Sequence, residues 1–282
     1  MTDLSSLPPA ARALVDRVVH AAKAEPGIVG LTLGGSAVAG GVDQFSDLDF
    51  VVICRPEDQA SVLADATQLA ARVGNLLASF TGEHVGEPRL LICLYGPPLL
   101  HVDLKFVSTT DLRLRVEDGI VIWERRPGTL GKAMEATSAV WPQPDFQWIE
   151  DRFWVWVHYS AGKLGRGELF ECLDALAYFR SAIFGPFLAV QHGARPQGVR
   201  RLEQYAGDAL QDLEDTVGDH TTEGCLGALR ASIGLYRRLR DAIDDGTLVR
   251  RTEAEVASLD YVDEIAGAAL AQPKGRLPGL RR

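Results

Sequence analysis

The sequence predicts an α+β chain in which a domain built on a mixed β-sheet is followed by a helical bundle. Three observations carry that prediction. Short apolar runs rich in β-branched residues cluster in the first 125 residues, the texture of buried strands. Two of these runs are separated only by Gly96-Pro97-Pro98, too short for a parallel crossover, so they pair antiparallel. Beyond residue 126, apolar residues recur every three to four positions, the period of a helix face. The boundaries are therefore 1–125 and 126–282, with the Gly- and Pro-containing stretch 126–144 as connector.

Taken in order, a helix starts near Pro8-Pro9 and runs to about Lys23, with Leu14, Val15, Val18 and Val19 as its apolar stripe. Pro26-Gly27 stops it. Residues 28–33 then form a buried strand and residues 48–53 a second one. A helix over 57–73 turns Val62, Leu63, Ala66, Leu69 and Ala70 inward. The antiparallel pair is 89–95 and 99–107, and residues 119–123 add a short strand. In the second half, Phe146, Ile149, Phe153 and Val157 mark one helix face. Leu169, Cys172, Leu173, Leu176, Ile183 and Phe187 mark another, and helices around 200–217, 222–244 and 252–271 complete a bundle. Trp148, Trp154, Trp156 and Tyr159 cannot all face one way on a single helix, so several serve packing.

The chain has 282 residues, 46% hydrophobic and 24% charged, with a net charge of -9. That is a globular composition. Both halves are acidic, and Arg237-Arg238-Arg240 is too short a cluster to make a basic footprint, so nucleic acid is not an expected partner. The three arginines read as a solvated helix face. Net negative charge favours a cationic small partner at the encounter stage. Cys54, Cys93, Cys172 and Cys225 are widely spaced, which suggests buried thiols rather than a zinc site. The N-terminus lacks a basic start and an apolar signal core. The apolar stretch 182–190 is too short to span a bilayer. The expected location is the cytoplasm, with no membrane partner.

Asp47 and Asp49 flank Leu48 at the start of a strand, so alternation turns both carboxylates to one side. Their mutual repulsion calls for solvent or cations. Mg²⁺ suits them, because carboxylates and phosphate oxygens can share its oxygen shell. On its own the pair also suits a solvated strand edge. Gly34-Gly35-Ser36, leaving the preceding strand, can bring backbone N–H groups and the Ser36 hydroxyl close to a phosphate. It is neither a dinucleotide fingerprint nor a P-loop, since no Gly-Lys-Ser/Thr follows.

The run Gly35-Ser36-Ala37-Val38-Ala39-Gly40-Gly41-Val42-Asp43-Gln44-Phe45-Ser46-Asp47-Leu48-Asp49-Phe50 resembles the active-site signature of the DNA-polymerase-beta-like nucleotidyltransferase superfamily. The resemblance implies that Gly35 and Ser36, with Asp47 and Asp49, bind a nucleotide triphosphate, and that both aspartates ligate two divalent metals. Gly40, Asp43 and Ser46 match common positions of the antibiotic-modifying branch, which often has Arg where this chain has Ala39. The family also has a third carboxylate on a later strand, supplied here by Asp103 in His101-Val102-Asp103-Leu104-Lys105-Phe106. Asp47, Asp49 and Asp103 are thus the catalytic and metal-ligating set. Asp103 would also orient or deprotonate an acceptor hydroxyl. His101 and Lys105 share its face by alternation and could reach phosphate. His84 falls in a polar loop and is expected to be exposed.

The helical half carries Lys163-Leu164-Gly165-Arg166-Gly167-Glu168-Leu169-Phe170-Glu171, similar to a segment of aminoglycoside and lincosamide nucleotidyltransferases. The resemblance makes Arg166, Glu168, Glu171 and Tyr178 the acceptor-binding residues, with Asp174 nearby. It implies transfer of a nucleoside monophosphate, AMP from ATP with Mg²⁺, to a hydroxyl of a small cationic acceptor such as an aminoglycoside, in a cleft between the domains. Two alternatives stand beside it. One is a nucleotidyltransferase acting on protein or RNA. The other is a noncatalytic nucleotide-binding regulatory module.

Overall fold

The computed structural model describes residue 4 and residues 7–39 and 42–270, apart from the side chains of Ser36, Ala39, Ala269 and Leu270. The chain forms two compact units, Met1–Trp141 and Pro142–Arg282. The fold class is α+β, with a mixed sheet in the first unit and helices in the second.

The first unit opens with α1 (Pro9–Ala24), whose Pro9 stands where a missing N–H costs nothing. It buries Leu14, Val15 and Val18; Val19 stays half-buried. Then follow β1 (Ile28–Leu33), the short α2 (Ser36–Ala39) and β2 (Leu48–Cys54). The helix expected over 57–73 divides into α3 (Gln59–Ala64) and α4 (Ala66–Val73). Asp65, with ψ at 10°, breaks it, while Val62, Ala66, Leu69 and Ala70 still point inward. β3 (Leu76–Gly82) has no counterpart among the expected strands. Leu77, Ala78 and Phe80 on it are exposed, so it lacks the apolar run of a central strand, and it lies at the sheet edge. β4 (Glu87–Tyr95) and β5 (Leu100–Ser108) are the expected antiparallel pair.

β6 (Ile120–Glu124) closes the sheet, whose order is β3-β4-β5-β2-β1-β6. Among the described residues β2 and β5 pair in parallel, and the other four strand pairs are antiparallel. Leu48, Phe50, Val52, Val102, Leu104 and Phe106 alternate onto one face and join α1 and α4 in the core. On the other face, Ile53 and Val107 are covered by Leu112 and Leu130. Leu130 lies on α5 (Thr129–Glu135), inside the stretch read as connector, and that burial anchors α5 to the first unit.

The second unit comprises α6 (Phe146–Gly165), α7 (Leu169–Phe179), α8 (Gly185–Gln191), α9 (Leu202–Tyr205), α10 (Leu210–Asp215), α11 (Thr222–Ile243) and α12 (Thr252–Leu270). Asp145 caps α6 by accepting from Trp148 N at 2.9 Å. The region expected as one helix over 200–217 is two short ones. α7, a π turn and α8 form a continuous helical run, Leu169–Gln191. It is longer than the 182–190 stretch singled out in the sequence and is apolar enough to cross a membrane. Its Cys172, Leu176, Phe179, Ile183 and Phe187 are buried in the bundle core instead.

At the bundle centre, Glu150 is fully buried. Its carboxylate accepts from the Tyr236 hydroxyl, from Trp154 Nε1 at 3.3 Å and from Arg251 N at 2.8 Å. Of the arginine cluster, Arg237 and Arg238 are exposed, as a solvated face has them, and Arg240 alone of the three is buried. Arg240 is 4% exposed and donates to Glu255 at 2.7 Å, while Arg237 donates to the same carboxylate group. A charge taken out of water needs such partners.

Candidate functional site

The site begins where β1 leaves the sheet. Gly34 N donates to Asp49 O at 2.8 Å, carrying the strand pairing one residue beyond Leu33. Gly35 then turns the chain with φ of 60°, a left-handed conformation that suits glycine. A second constraint is steric: a Cβ on Gly35 would lie 1.9 Å from Oδ2 of Asp49. The turn is therefore glycine because the Asp49 carboxylate rests against it. The Ser36 side chain, Gly40 and the side chain at Ala39 lie outside the described residues.

The approach to β2 is a self-closing turn. Asp43 Oδ1 accepts from Phe45 N and from the Ser46 hydroxyl, each at 2.9 Å, and Ser46 Oγ accepts from Asp43 N at 3.0 Å. These bonds occupy Asp43 and Ser46 structurally and set the entry of Asp47 into the strand. Phe45, at the tip, is 85% exposed.

Asp49 and Asp103 are register partners in the parallel β2–β5 pair. Neighbouring strands lie about 4.8 Å apart and paired residues share a face, so the two carboxylates are side by side. Both project opposite to the Phe50 and Leu104 core side, at the end of the face beyond the Ile53–Val107 cluster. Burial pushes the Asp103 carboxyl up; His101 pulls it down, and the charge of Asp47 pushes it up again. His101 Nε2 stands 3.1 Å from Asp103 Oδ1. Asp103 thus has Asp49 as its register partner and feels the charge of Asp47.

Sequence reasoning missed Glu117. Its Oε1 lies 3.1 Å from where a Cβ on Gly34 would be, and Asp49 Cβ lies 4.0 Å from that same point. Glu117 reaches the turn because β6 pairs with β1 through Leu33 and Ile120. Pairing the last expected strand with the first would have located it, but nothing around residue 117 forms a motif. Among the described residues, no three His, Cys, Asp or Glu side chains are already gathered as a metal cage. The donor chemistry fits a hard cation brought in with phosphate, because Mg²⁺ needs only one or two carboxylates when phosphate and water complete its shell.

In the second unit, Arg166, Glu168 and Glu171 do come together, around Lys163. Lys163 Nζ lies 2.9 Å from Glu168 and 2.7 Å from Glu171, and Arg166 Nε donates to Glu168 at 3.0 Å. The Tyr159 hydroxyl also donates to Glu171. Lys163 and Arg166 hold the Glu168 carboxyl below its usual range; Lys163 and Tyr159 do the same for Glu171. Tyr178 is not part of this cluster. It packs edge-on against Trp156 with ring centres 5.2 Å apart, and Trp156 contacts Trp148 at 5.6 Å. Trp154 is buried in the core, and Asp174 and His84 are exposed. All four cysteines are buried, with burial pushing the Cys54 and Cys93 thiols up to about 12.

No family model matches the sequence, and no curated protein matches it. Among solved structures, the chain is similar to the crystal structure of an aminoglycoside 6-adenyltransferase from Bacillus subtilis. The identity is 15%, over 90% of this chain and 97% of that one, with a TM-score of 0.42. A superposition this loose carries no argument, so the functional reading rests on the residues themselves.

Proposed function

We propose that the first unit binds a nucleotide triphosphate, ATP by preference, and transfers its nucleoside monophosphate to a hydroxyl of a small acceptor, releasing pyrophosphate. The observation that carries this reading is the placement of Asp49 beside Asp103 and against the Gly34-Gly35 turn. Backbone at that turn can approach phosphate closely, since neither glycine interposes a side chain.

Asp47 and Asp49 would hold Mg²⁺ together with the phosphates, and Asp103 would complete the set. When bound, the metal supplies positive charge that stabilises the attacking and leaving oxygens. Asp103 orients the acceptor hydroxyl and takes its proton. A metal bound beside it would acidify that hydroxyl, so the Asp103 carboxylate can take the proton without an unusual pKa of its own. The acceptor oxygen bonds to the α-phosphorus as the bond from that phosphorus to the β-phosphate bridging oxygen breaks. Positioning and electrostatics supply the rate, without a covalent protein intermediate.

Transfer to a cationic acceptor such as an aminoglycoside keeps the support of the -9 net charge, which favours encounter. Local support from Glu168 and Glu171 is weaker than their sequence suggests, because Lys163 and Arg166 already compensate them. Pyrophosphate release should be measured with ATP, Mg²⁺ and a panel of aminoglycoside, lincosamide, protein and RNA acceptors. Acceptor-dependent release by the native chain supports transfer, and an RNA- or protein-only response selects that acceptor class. Nucleotide binding without release from any acceptor would favour the noncatalytic module.

A further inference from the structure

Asp103 has a cation within reach that does not touch it. Lys105 is two residues along β5, on the same face by strand alternation, opposite Val51 of β2 and Leu90 of β4. Two residues of strand span roughly 6.6 Å, a distance that a lysine stem can cover. An ammonium resting on Asp103 would cancel much of the negative charge the site needs to attract a metal. Instead Lys105 Nζ is held 2.9 Å from Glu87 Oε2.

Glu87 is itself fixed. Arg89 Nε donates to Glu87 Oε1 at 2.8 Å and Arg89 Nη2 to Oε2 at 2.9 Å. Arg89 Nη1 stands 3.6 Å from Asp111 Oδ2, which accepts from Ser108 N at 2.8 Å and from the Ser108 hydroxyl at 2.9 Å. Arg89 and Lys105 hold the Glu87 carboxyl at about 2. On the other side, the charged group in contact with Asp103 is His101, whose Nε2 stands 3.1 Å from Oδ1.

We propose that Glu87 is a positioning residue for the carboxylate site, tethering Lys105 so that its ammonium stays off Asp103. The inference rests on the reading of Asp47, Asp49 and Asp103 as the nucleotide and metal site. Loss of the Glu87 charge frees Lys105 to pair with Asp103, and the paired lysine then competes with a divalent cation.

Mn²⁺ is a suitable probe, because its free fraction is read directly by electron paramagnetic resonance without turnover. Binding should be titrated with a non-hydrolysable ATP analogue for the native chain, Glu87→Gln, Lys105→Met and the double variant. Glu87→Gln should weaken Mn²⁺ binding about three- to fivefold, the upper part of the range for a partly exposed ion pair. Lys105→Met should bind at least as tightly as the native chain. The double variant should return to within about twofold of it, since no ammonium remains to compete. A merely structural role for Glu87 would leave the double variant as weak as Glu87→Gln. That result, or unchanged binding in Glu87→Gln, overturns the proposal. Failure of the native chain to bind Mn²⁺ with the analogue would instead remove the site reading itself, and the proposal with it.

Discussion

Replacing Gly35 by alanine tests the contact between the glycine turn and the carboxylates. The new methyl group would sit 1.9 Å from Asp49 Oδ2 and 3.0 Å from its Cγ. Either the carboxylate rotates away or the turn opens, and both move a ligand of the proposed metal. Holding alanine at a φ of 60° adds about 1 kcal/mol of backbone strain. Gly86→Ala separates the two effects, since Gly86 has φ of 75° and nothing within 4 Å of an added methyl. Gly86→Ala should cost about 1 kcal/mol, and Gly35→Ala about 1–3 kcal/mol more through overpacking. Hydrogen exchange in peptides covering residues 28–54 for Gly35→Ala, and 76–95 for Gly86→Ala, reads stability at each site without assuming that both units unfold together. Transfer should fall about 100-fold in Gly35→Ala, the scale of a 1 Å misplacement, and stay within about twofold in Gly86→Ala. Near-native transfer by Gly35→Ala would refute the argument that this glycine makes room for a working carboxylate.

Asp47→Asn and Asp49→Asn should each retain folding stability and lose most metal-dependent transfer, because the swap keeps size and removes a negative oxygen; near-native turnover in pyrophosphate release would contradict it. Tyr236→Phe should destabilise the second unit by about 1.5–3 kcal/mol in denaturant titration, since it removes a donor to the fully buried Glu150; a loss below about 0.5 kcal/mol would show that the bond is not needed. The Glu87 carboxyl is held at about 2 in the folded chain, against an ordinary 4.5. Its contribution to stability is therefore complete above pH 4.5 and lost as the pH falls toward 2. Glu87→Gln should flatten that limb of the acid-unfolding curve, and an unaltered limb would count against the ion pairs.

The apolar periods that bury a residue are those that were legible before folding. α1, β1, β2, α11 and α12 follow their hydrophobic patterns closely. β3 was not legible, because an edge strand with Leu77, Ala78 and Phe80 in solvent has no continuous apolar run. Asp65 broke a helix whose inward positions were otherwise correct, since a break of one residue leaves the spacing of apolar side chains almost intact. At the site, alternation predicts one side for Asp47 and Asp49, but it could not make Asp103 the lateral partner of Asp49. That depends on the parallel β2–β5 pairing, whose strands are separated in sequence by α3, α4, β3 and β4. Glu117 and the tether from Glu87 to Lys105 are likewise products of tertiary pairing. Glu168 and Glu171 looked available for an acceptor because sequence spacing does not reveal that Lys163 lies between them.

The fate of the α-phosphorus separates nucleotidyl transfer from phosphoryl transfer. ATP labelled at the α-phosphate, and separately at the γ-phosphate, should be incubated with Mg²⁺, the native chain and the acceptor panel, with Asp103→Asn as the parallel control. The α label should move to an acceptor as a nucleoside-monophosphate adduct, the γ label should appear in pyrophosphate, and Asp103→Asn should abolish both. Transfer of the γ label to the acceptor, or an α-labelled adduct formed equally well by Asp103→Asn, would contradict it.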